Sequence, residues 1–525
     1  MKVEAVVAKV SDLRDGEMKE VTVGDTKVLL TRLKGKFHAV GAVCTHYGGP
    51  LAEGALSGER VVCPWHQASF NVVTGDLEEP PALDAQPCFA VRVEGENVMV
   101  SVPEKAPDRR LPAMVKADAA ADGRTFVILG AGAAGNAAAE TLRQDGFQGR
   151  LVMITGEGRL PYDRPNLSKG YLFGAAGPEA LPWRPTEFYG DWDIEVLLGR
   201  PVVEVDAPGK TLSFADGLRL AYDRLLLATG GVPLTLAGPG AGLGQVFTLR
   251  SGDDADAIIA AAGQARRAVV VGTGFIGMEV AASLTKRGLA VTVASPRGIP
   301  MERQLGPEIG AMLKKAHEEQ GVSFRLGRRV ARLAGEPRVT GVVLDDGQRL
   351  EADLVVVGIG VRPATDYLKG VPLNPDGSVT VDRHLRVAPD LYAAGDIARF
   401  PDWRTGEMIR IEHWRLAQQH GVVAAHNLAG KNVAFARVPF FWSEQFDIFL
   451  QYVGYVTEWE EIIFHGEVSA RDFLAFYVKG NRVLAAAGLG HDRQLAALAE
   501  LMRLDKMPTP AELSAGPAFD FVARL

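Results

Sequence analysis

Two short cysteine–histidine motifs are the residues of this sequence whose types and spacing most clearly indicate chemistry. Cys44 and His46 form a C-x-H motif, and 16 residues lie between His46 and the C-x-x-H motif of Cys63 and His66. Thiolate sulfur and imidazole nitrogen are metal ligands, and two such pairs predict a four-ligand metal site. Two alternatives stay open at this point, a structural Cys₂His₂ zinc site and two chance pairs that hold no metal.

Two glycine-rich turns are the second chemical signal. Each follows a short apolar strand, TFVIL in the first case and AVVV in the second, and each opens a helix. Glycines in such a turn allow close approach of the backbone to a pyrophosphate, and the helix N-terminus favours the anion. The pattern predicts two nucleotide-binding α/β domains, with Gly130, Gly132 and Gly135 in the first turn and Gly272, Gly274 and Gly277 in the second.

The residue that ends the next strand distinguishes one nucleotide from another. After the first turn this residue is Glu157, where a carboxylate accepts a hydrogen bond from a ribose hydroxyl. After the second turn it is Ser295, with Arg297 close by. A serine and an arginine could accept a 2′-phosphate, which predicts that both NADH and NADPH are used. The alternative is that Arg297 is a solvated surface charge.

Composition limits the class of protein. Of 525 residues 47 % are hydrophobic, and 57 basic against 64 acidic residues give a net charge of −7. This charge argues against nucleic acid or an anionic membrane as the main partner. No apolar run approaches the roughly 18 residues of a membrane span, and three cysteines cannot form a disulfide framework. We therefore expect a soluble, cytoplasmic, multidomain protein.

The secondary structure predicted around these motifs divides the chain into domains. Residues 1–103 alternate short apolar runs with turns and predict a small all-β domain, and 104–123 read as a semi-extended linker. Residues 124–248 and 376–437 are expected to form one α/β domain, 249–375 a second, and 438–525 a C-terminal α+β domain. In the last we predict an amphipathic helix around Arg493–Leu504.

The cysteine–histidine motifs resemble those of a Rieske [2Fe–2S] domain. The resemblance implies that Cys44 and Cys63 hold the inner iron and that His46 and His66 hold the outer iron. In the high-potential Rieske subgroup each loop carries a further cysteine, and here Gly49 and Trp65 stand in those places. The resemblance is therefore to the ferredoxin-like subgroup, with a potential towards the low end of the Rieske range. The third cysteine, Cys88, is expected to be a small buried apolar residue.

From Arg124 onwards the sequence resembles the glutathione-reductase-like flavoprotein superfamily. The closer resemblance is to the ferredoxin reductases of oxygenase systems and to apoptosis-inducing-factor-like proteins. It rests on PYDRPNLSK at 161–169, LATG at 227–230, LYAAGD at 391–396, EHW at 412–414 and the tryptophan of FFWS, Trp442. The order Rieske–linker–flavoprotein resembles the family of apoptosis-inducing-factor-like protein 3 and its bacterial relatives.

This resemblance implies a bound FAD and an exchanging NADH or NADPH. It implies that Lys169 and Glu279 form a catalytic ion pair near the flavin N5, and that Trp442 lies beside the flavin ring. Motifs and resemblance together assign to the two nucleotides Gly130, Gly132, Ala133, Ala134, Gly135, Glu157, Arg164, Lys169, Val202, Thr229, Gly230, Arg250, Gly272, Gly274, Phe275, Ile276, Gly277, Ser295, Arg297, Gly360, Gly395, Asp396, Glu412, His413, Trp414 and Trp442.

The expected function follows from how these cofactors handle electrons. A nicotinamide donates a hydride, a [2Fe–2S] cluster accepts single electrons, and a flavin can do both. We predict a reductase that passes electrons from NAD(P)H through FAD to the cluster, and on to a one-electron acceptor protein such as an oxygenase. No cysteine follows Cys88, which excludes the dithiol reductases of the superfamily. The alternative is a redox-sensing interaction protein that oxidises NADH slowly.

Two properties of the assembly complete the expectations. The Rieske domain is predicted to be mobile on its linker, with the loops of His46 and His66 as an exposed tip; the alternative is a rigidly packed domain. The oligomeric state stays open, with a homodimer as one option.

Overall fold

The computed structural model describes residues 2–516 and 519–525. The chain forms two compact units, each made of separate segments. The first unit comprises Met1–Ala113, Arg437–Trp442 and Leu450–Leu525, and the second comprises Met114–Ala436 and Ser443–Phe449. Within the described ranges, no helix is both long enough and apolar enough to cross a bilayer.

The N-terminal part of the first unit consists of two antiparallel sheets. The larger has the strand order β1-β10-β9-β4-β3-β2 and the smaller has the order β5-β6-β7-β8. The strands are β1 (Lys2–Lys9), β2 (Met18–Val23), β3 (Thr26–Leu33), β4 (Lys36–Gly41), β5 (Ala55–Ser57), β6 (Arg60–Val62), β7 (Ser69–Asn71), β8 (Leu77–Glu79), β9 (Cys88–Glu94) and β10 (Asn97–Pro103). Alternation buries Val98, Val100 and Val102 of β10 in the core.

The second unit begins with a parallel sheet of order β13-β12-β11-β17-β31, to which β30 adds an antiparallel edge. Its elements up to residue 233 are β11 (Thr125–Leu129), α1 (Ala133–Gln144), β12 (Arg150–Ile154), α2 (Gly170–Phe173), α3 (Thr186–Asp191), β13 (Ile194–Leu197), β14 (Val202–Asp206), β15 (Thr211–Phe214), β16 (Arg219–Ala221), β17 (Arg224–Leu227) and β18 (Gly231–Pro233).

A second parallel sheet, of order β19-β26-β20-β21-β22, lies in the same unit. Its region contains β19 (Val246–Thr248), α4 (Gly252–Ala262), β20 (Arg267–Val271), α5 (Phe275–Lys286), β21 (Ala290–Ser295), α6 (Glu302–Leu305), α7 (Pro307–Glu319), β22 (Ser323–Leu326), β23 (Val330–Gly335), β24 (Val339–Leu344), β25 (Arg349–Glu351) and β26 (Leu354–Val357).

The chain then returns to the first parallel sheet. The elements of this part are β27 (Val361–Pro363), β28 (Leu368–Lys369), β29 (Val379–Thr380), β30 (Arg386–Ala388), β31 (Leu391–Ala393), β32 (Ala398–Pro401), β33 (Met408–Ile409) and α8 (Trp414–Leu428). Helix α8 packs along α1, so the two segments of this domain, far apart in sequence, share one core.

The C-terminal part forms a five-stranded sheet of order β34-β35-β38-β37-β36 with two helices. Its elements are β34 (Phe440–Gln445), β35 (Ile448–Gly454), β36 (Glu461–Glu467), β37 (Asp472–Lys479), β38 (Arg482–Leu489), α9 (Asp492–Arg503) and α10 (Pro510–Ser514). Helix α9 confirms the amphipathic helix predicted at this place, and it packs against β38 and, in the N-terminal domain, β5.

The predicted fold class is confirmed, since an all-β domain precedes two α/β domains and a C-terminal α+β domain. The exact domain boundaries stay a prediction. The segment predicted as a linker is hydrogen-bonded on each side: the backbone of Arg110 pairs with Ala85 in the first unit, and Val115 donates to Arg143 in the second.

We predict that Gly421 is required for the packing of α8 on α1. A Cβ atom at this buried position would overlap the carbonyl oxygen of Ala134 in the first turn of α1. Gly421→Ala is expected to lower the free energy of unfolding by about 1–3 kcal/mol, the usual cost of overpacking. The melting temperature of the variant, compared with that of the unmodified protein, measures the loss of stability.

Gly190→Ala in α3 is the matched control, since a Cβ there would contact nothing within 4 Å. This variant should be as stable as the unmodified protein or more stable. Equal melting temperatures for the two variants would contradict the prediction.

Candidate functional site

Both cysteine–histidine motifs lie on tight loops at strand ends. Cys44 follows β4 and begins a tight turn. Its backbone N–H donates to Gly49 O at 2.8 Å, and the N–H of Gly48 donates to Cys44 O at 3.0 Å. Cys63 follows β6 and is tied in the same way to Ala68, at 2.8 Å. The fold thus brings the two predicted ligand pairs together at one end of the small sheet.

The four side chains converge as two pairs. Nδ1 of His46 lies 3.2 Å from Nδ1 of His66, and the buried Cys44 and Cys63 sulfurs share a hydrogen bond that raises the pKa of Cys44 and lowers that of Cys63. Burial lowers the pKa of His46 to about 3, which keeps its imidazole in the neutral form that binds metal.

This pairing bears on which metal group fits. A mononuclear zinc site needs four ligands around a single point, whereas each iron of a Rieske cluster takes only two protein ligands. One pair of cysteines and one pair of histidines are therefore the donor set that a Rieske [2Fe–2S] cluster requires.

The loop around the cysteines is too crowded for the extra cysteine of the high-potential subgroup. A Cβ atom at Gly49 would lie 2.8 Å from Cys63 Sγ and 3.2 Å from the ring of Trp65. Glycine is thus the residue that this close approach permits, which agrees with the resemblance to the ferredoxin-like subgroup.

Two sequence-based expectations about this region are wrong. His66 is only 8 % exposed, because the ring of Trp442 packs on it with a centroid distance of 4.4 Å and also lies 6.5 Å from His46. The His66 ring is therefore buried and His46 is half-buried, although Tyr47 and Trp65 in the same loops are exposed. Cys88, expected to be buried, is exposed.

The three glycines of each nucleotide turn have different surroundings. Gly130 and Gly272 have φ angles of +115° and +119°, and a Cβ on either would overlap the backbone carbonyl of the residue that follows a neighbouring strand. At Gly132 and Gly274 a Cβ would meet nothing within 4 Å. This open side is where a pyrophosphate can approach the helix N-terminus, so both turns fit a dinucleotide.

Glu157 was predicted to end its strand, but β12 ends at Ile154 and Glu157 lies three residues further on. Its carboxylate accepts from Tyr162 OH at 2.5 Å and from Arg164 Nη2 at 2.8 Å. Burial would raise the pKa of Glu157, but Arg164 and Tyr162 together hold it below its ordinary value. An ionised carboxylate at this place can accept from a ribose hydroxyl.

A second group of predicted FAD residues surrounds the end of β17 and the turn after β31. Arg250 donates from Nη2 to Asp396 at 2.8 Å, and a Cβ on Gly230 would lie 2.8 Å from the same nitrogen. Gly395 donates its N–H to His420 at 3.2 Å. Burial raises the pKa of the nearby Glu412, although Arg410 binds its carboxylate.

Lys169 and Glu279 form the predicted ion pair, with Nζ 2.7 Å from Oε2. Glu279 is buried and accepts two further hydrogen bonds, from Ser168 at 2.5 Å and from Ser443 at 2.8 Å. Burial and the charge of Lys169 lower the pKa of His413 to about 3, so a neutral imidazole lies close to the pair. The ion pair is confirmed, and its catalytic role stays a prediction.

Sequence reasoning missed Ser443 as a partner of Glu279. The only signal was its position directly after Trp442, which the resemblance had singled out. No local pattern links two residues that are 164 positions apart.

The remaining predicted residues occupy positions compatible with their assignments. Ala133 and Ala134 begin α1, Phe275 and Ile276 begin α5, Thr229 donates to Ala364 O, Val202 begins β14, Gly360 precedes β27, and the ring of Trp414 lies 4.8 Å from that of Trp183. Their contacts with nucleotides stay predictions.

At the end of β21, the hydroxyl of Ser295 is already hydrogen-bonded within the protein, which differs from the expectation that it contacts a 2′-phosphate. Ser295 is buried, and its hydroxyl is engaged by Thr273 at 3.1 Å and by the Arg297 backbone N–H at 3.2 Å. Arg297 itself is exposed. The arginine, and not the serine, is therefore available to a 2′-phosphate.

Three family models match this chain. The model described as pyridine nucleotide-disulphide oxidoreductase matches residues 124–421, that of the Rieske [2Fe-2S] domain matches 3–90, and that of the reductase C-terminal domain matches 440–522. Together they cover the three regions that the sequence and the fold distinguish.

Several known proteins are similar over most of their length. Human apoptosis-inducing factor 3 is 42 % identical over 95 % of this chain and 84 % of its own. The ferredoxin–NAD(+) reductase component of the anthranilate 1,2-dioxygenase system of Burkholderia cepacia is 34 % identical over 74 % of this chain and 96 % of its own. The solved structure of a ferredoxin reductase from Rhodopseudomonas palustris has a TM-score of 0.72 and 35 % identity, covering 76 % of this chain and 98 % of its own.

Removal of the Lys169 charge should slow reduction of the flavin. Lys169→Gln is expected to lower the rate of flavin reduction by NADH at least tenfold, because Glu279 loses the cation that orients it. Stopped-flow absorbance of the bound flavin measures the rate. FAD content should stay that of the unmodified protein.

Lys286→Gln, on the same helix as Glu279, is the control, because Lys286 is bonded to Phe446 O and not to Glu279. It should keep the unmodified rate. If the flavin of Lys169→Gln is reduced as fast as that of this control, Lys169 has no role in hydride transfer.

Arg297 should determine how well NADPH is used. We expect the kcat/KM values for NADPH and NADH to lie within about a hundredfold of each other, since one charged contact contributes a few kcal/mol at most. Arg297→Gln should lower kcat/KM for NADPH at least tenfold and leave that for NADH within about twofold.

Arg266→Gln is the control, since this exposed arginine lies before β20, at the opposite end of the sheet. It should change neither value. Equal losses for both coenzymes in Arg297→Gln would show that the arginine does not read the 2′-phosphate.

Proposed function

Because this chain belongs to the pyridine nucleotide-disulphide oxidoreductase family, in a branch that carries a Rieske domain, we propose that it reduces its own cluster with electrons from NAD(P)H. It is an NAD(P)H-dependent oxidoreductase of the ferredoxin reductase type, with FAD and a [2Fe–2S] cluster as cofactors. When bound, the flavin supplies the conversion of a two-electron hydride into single electrons.

The observation that most strongly supports this proposal is the position of two consecutive residues, Trp442 and Ser443. Trp442 packs against the two histidines that fit the outer iron, and the next residue in the chain, Ser443, donates to Glu279 of the predicted hydride-transfer site. Cα atoms of consecutive residues are 3.8 Å apart. A single peptide bond therefore joins a residue at the cluster to a residue at the ion pair.

The residues of the ion pair have defined tasks in the proposed reaction. Three donors hold the Glu279 carboxylate, so its orientation is fixed before the coenzyme binds. Lys169 balances its charge, and the neutral His413 adds no second cation close by. We propose that this arrangement positions the nicotinamide for hydride transfer.

The proposed final acceptor is a one-electron acceptor protein, with an oxygenase as the leading class. This proposal rests on the Burkholderia cepacia relative, whose name places it in a dioxygenase system. The cytoplasmic location and the homodimer stay predictions from the sequence alone.

NADH should reduce the cluster within one chain. After rapid mixing of the oxidised protein with NADH, cluster bleaching should be first order, with a rate that stays the same over a thirtyfold range of protein concentration. A reaction between separate molecules would instead accelerate in proportion to concentration, and such a result would contradict the proposal.

Trp442→Leu should slow the bleaching of the cluster at least tenfold more than it slows the reduction of the flavin, since the ring joins the histidines to the strand of Ser443. The matched control is Trp459→Leu, because Trp459 belongs to the same domain and packs on Tyr477. Equal bleaching rates in the two variants would remove Trp442 from the route.

A further inference from the structure

We propose that Gln451, in the C-terminal domain, positions the cluster by holding the second ligand loop of the Rieske domain, the loop of Cys63 and His66. The proposal requires that the cluster is bound at Cys44, His46, Cys63 and His66. It does not require that NAD(P)H is the source of electrons.

Gln451 reaches the ligand loop directly. It lies on β35 and is fully buried, and its Nε2 donates to the carbonyl oxygen of Pro64 at 3.0 Å. Pro64 stands between Cys63 and His66, which hold different irons of the cluster. A shift of this carbonyl therefore moves the backbone between the two ligands.

The orientation of the Gln451 amide is set by a second acceptor. The same Nε2 donates to Asp492 Oδ1 at 2.9 Å, so both of its hydrogens are used. The opposite orientation would place the amide oxygen against a carbonyl and a carboxylate, both of which only accept when the carboxylate is ionised. Asp492, at the start of α9, thus fixes the direction of the bond to Pro64.

The two ligand loops differ in the origin of their supports. The first loop is held from within the Rieske domain, since Thr45 donates to Asp84 O at 2.7 Å and Gln86 donates to Val43 O at 3.0 Å. The second loop is bonded to the C-terminal domain, through Gln451 and through Gln67, which donates to Leu495 O at 3.4 Å.

A separate ion pair joins the same two domains without touching either ligand loop. Arg60 of β6 donates to Glu500 of α9 at 2.9 Å, and the Glu500 side chain is only 3 % exposed. This pair allows the attachment of the domains to be weakened independently of the Pro64 bond.

The test compares two variants of the full-length protein. Gln451→Met keeps the volume of the side chain and removes both hydrogen bonds, whereas Glu500→Gln weakens the ion pair and leaves Pro64 bonded. Three properties are measured: the g values of the dithionite-reduced cluster, its midpoint potential, and the rate at which a chelator removes iron. FAD content equal to that of the unmodified protein shows that each variant has folded.

Gln451→Met should show shifted or broadened g values, a changed midpoint potential and iron release at least threefold faster than in the unmodified protein. Glu500→Gln should keep the unmodified g values and potential. Asp492→Asn retains an oxygen that can accept from Gln451, and it should release iron within about twofold of the unmodified rate.

A Gln451→Met protein with unmodified g values, potential and iron release would overturn the proposal. Equal changes in Gln451→Met and Glu500→Gln would also overturn it, because attachment of the domains, and not the bond to Pro64, would then control the cluster. A Gln451→Met protein that holds FAD but little iron, beside a Glu500→Gln protein that holds both, would support it.

Discussion

Alternation of side chains along β34 is the constraint on which the predicted cluster site and the buried Lys169–Glu279 ion pair both depend. Consecutive residues of a strand point to opposite faces, so Trp442 and Ser443 cannot serve the same site. Trp442 packs on the predicted cluster ligands, and Ser443 donates to the buried Glu279. A shift of the strand by one residue would exchange these two side chains and remove both contacts at once.

Buried charge is the second organising feature. The unfavourable free energy of burying a carboxylate explains why Glu279 and Glu140 each have several hydrogen-bond partners. An isolated carboxylate in the interior is strongly unfavourable, whereas one that accepts several hydrogen bonds is tolerated. Glu279 has three donors, and Glu140 in α1 is held by Arg184 at 2.6 Å and by Asn136 at 2.8 Å. These groups need their partners in place, so both regions are expected to be ordered before a nucleotide binds.

Local patterns were sufficient to predict the residues whose chemistry depends on spacing along the chain. The two ligand pairs, the glycine turns and helix α9 are of this kind. The ion pair of Lys169 and Glu279 required the family resemblance, because 110 residues separate the two. Asp492 could not be predicted, because its partner Gln451 lies 41 positions away in the sequence. Gln451 and Ser443 could not be predicted either, since they bond to Pro64 and Glu279 of other domains. The burial of His66 escaped prediction for the same reason, because the covering ring belongs to Trp442.

Attachment of the cluster domain to the reductase in one chain also has a consequence for stoichiometry. Separate proteins meet at a rate set by both of their concentrations, whereas covalently joined partners meet at an effective concentration that is in the millimolar range for short connections. The ratio of cluster to flavin is then one at every level of expression. A cell that makes such a protein therefore changes the numbers of its flavin and cluster sites together, in proportion to the amount of the whole chain.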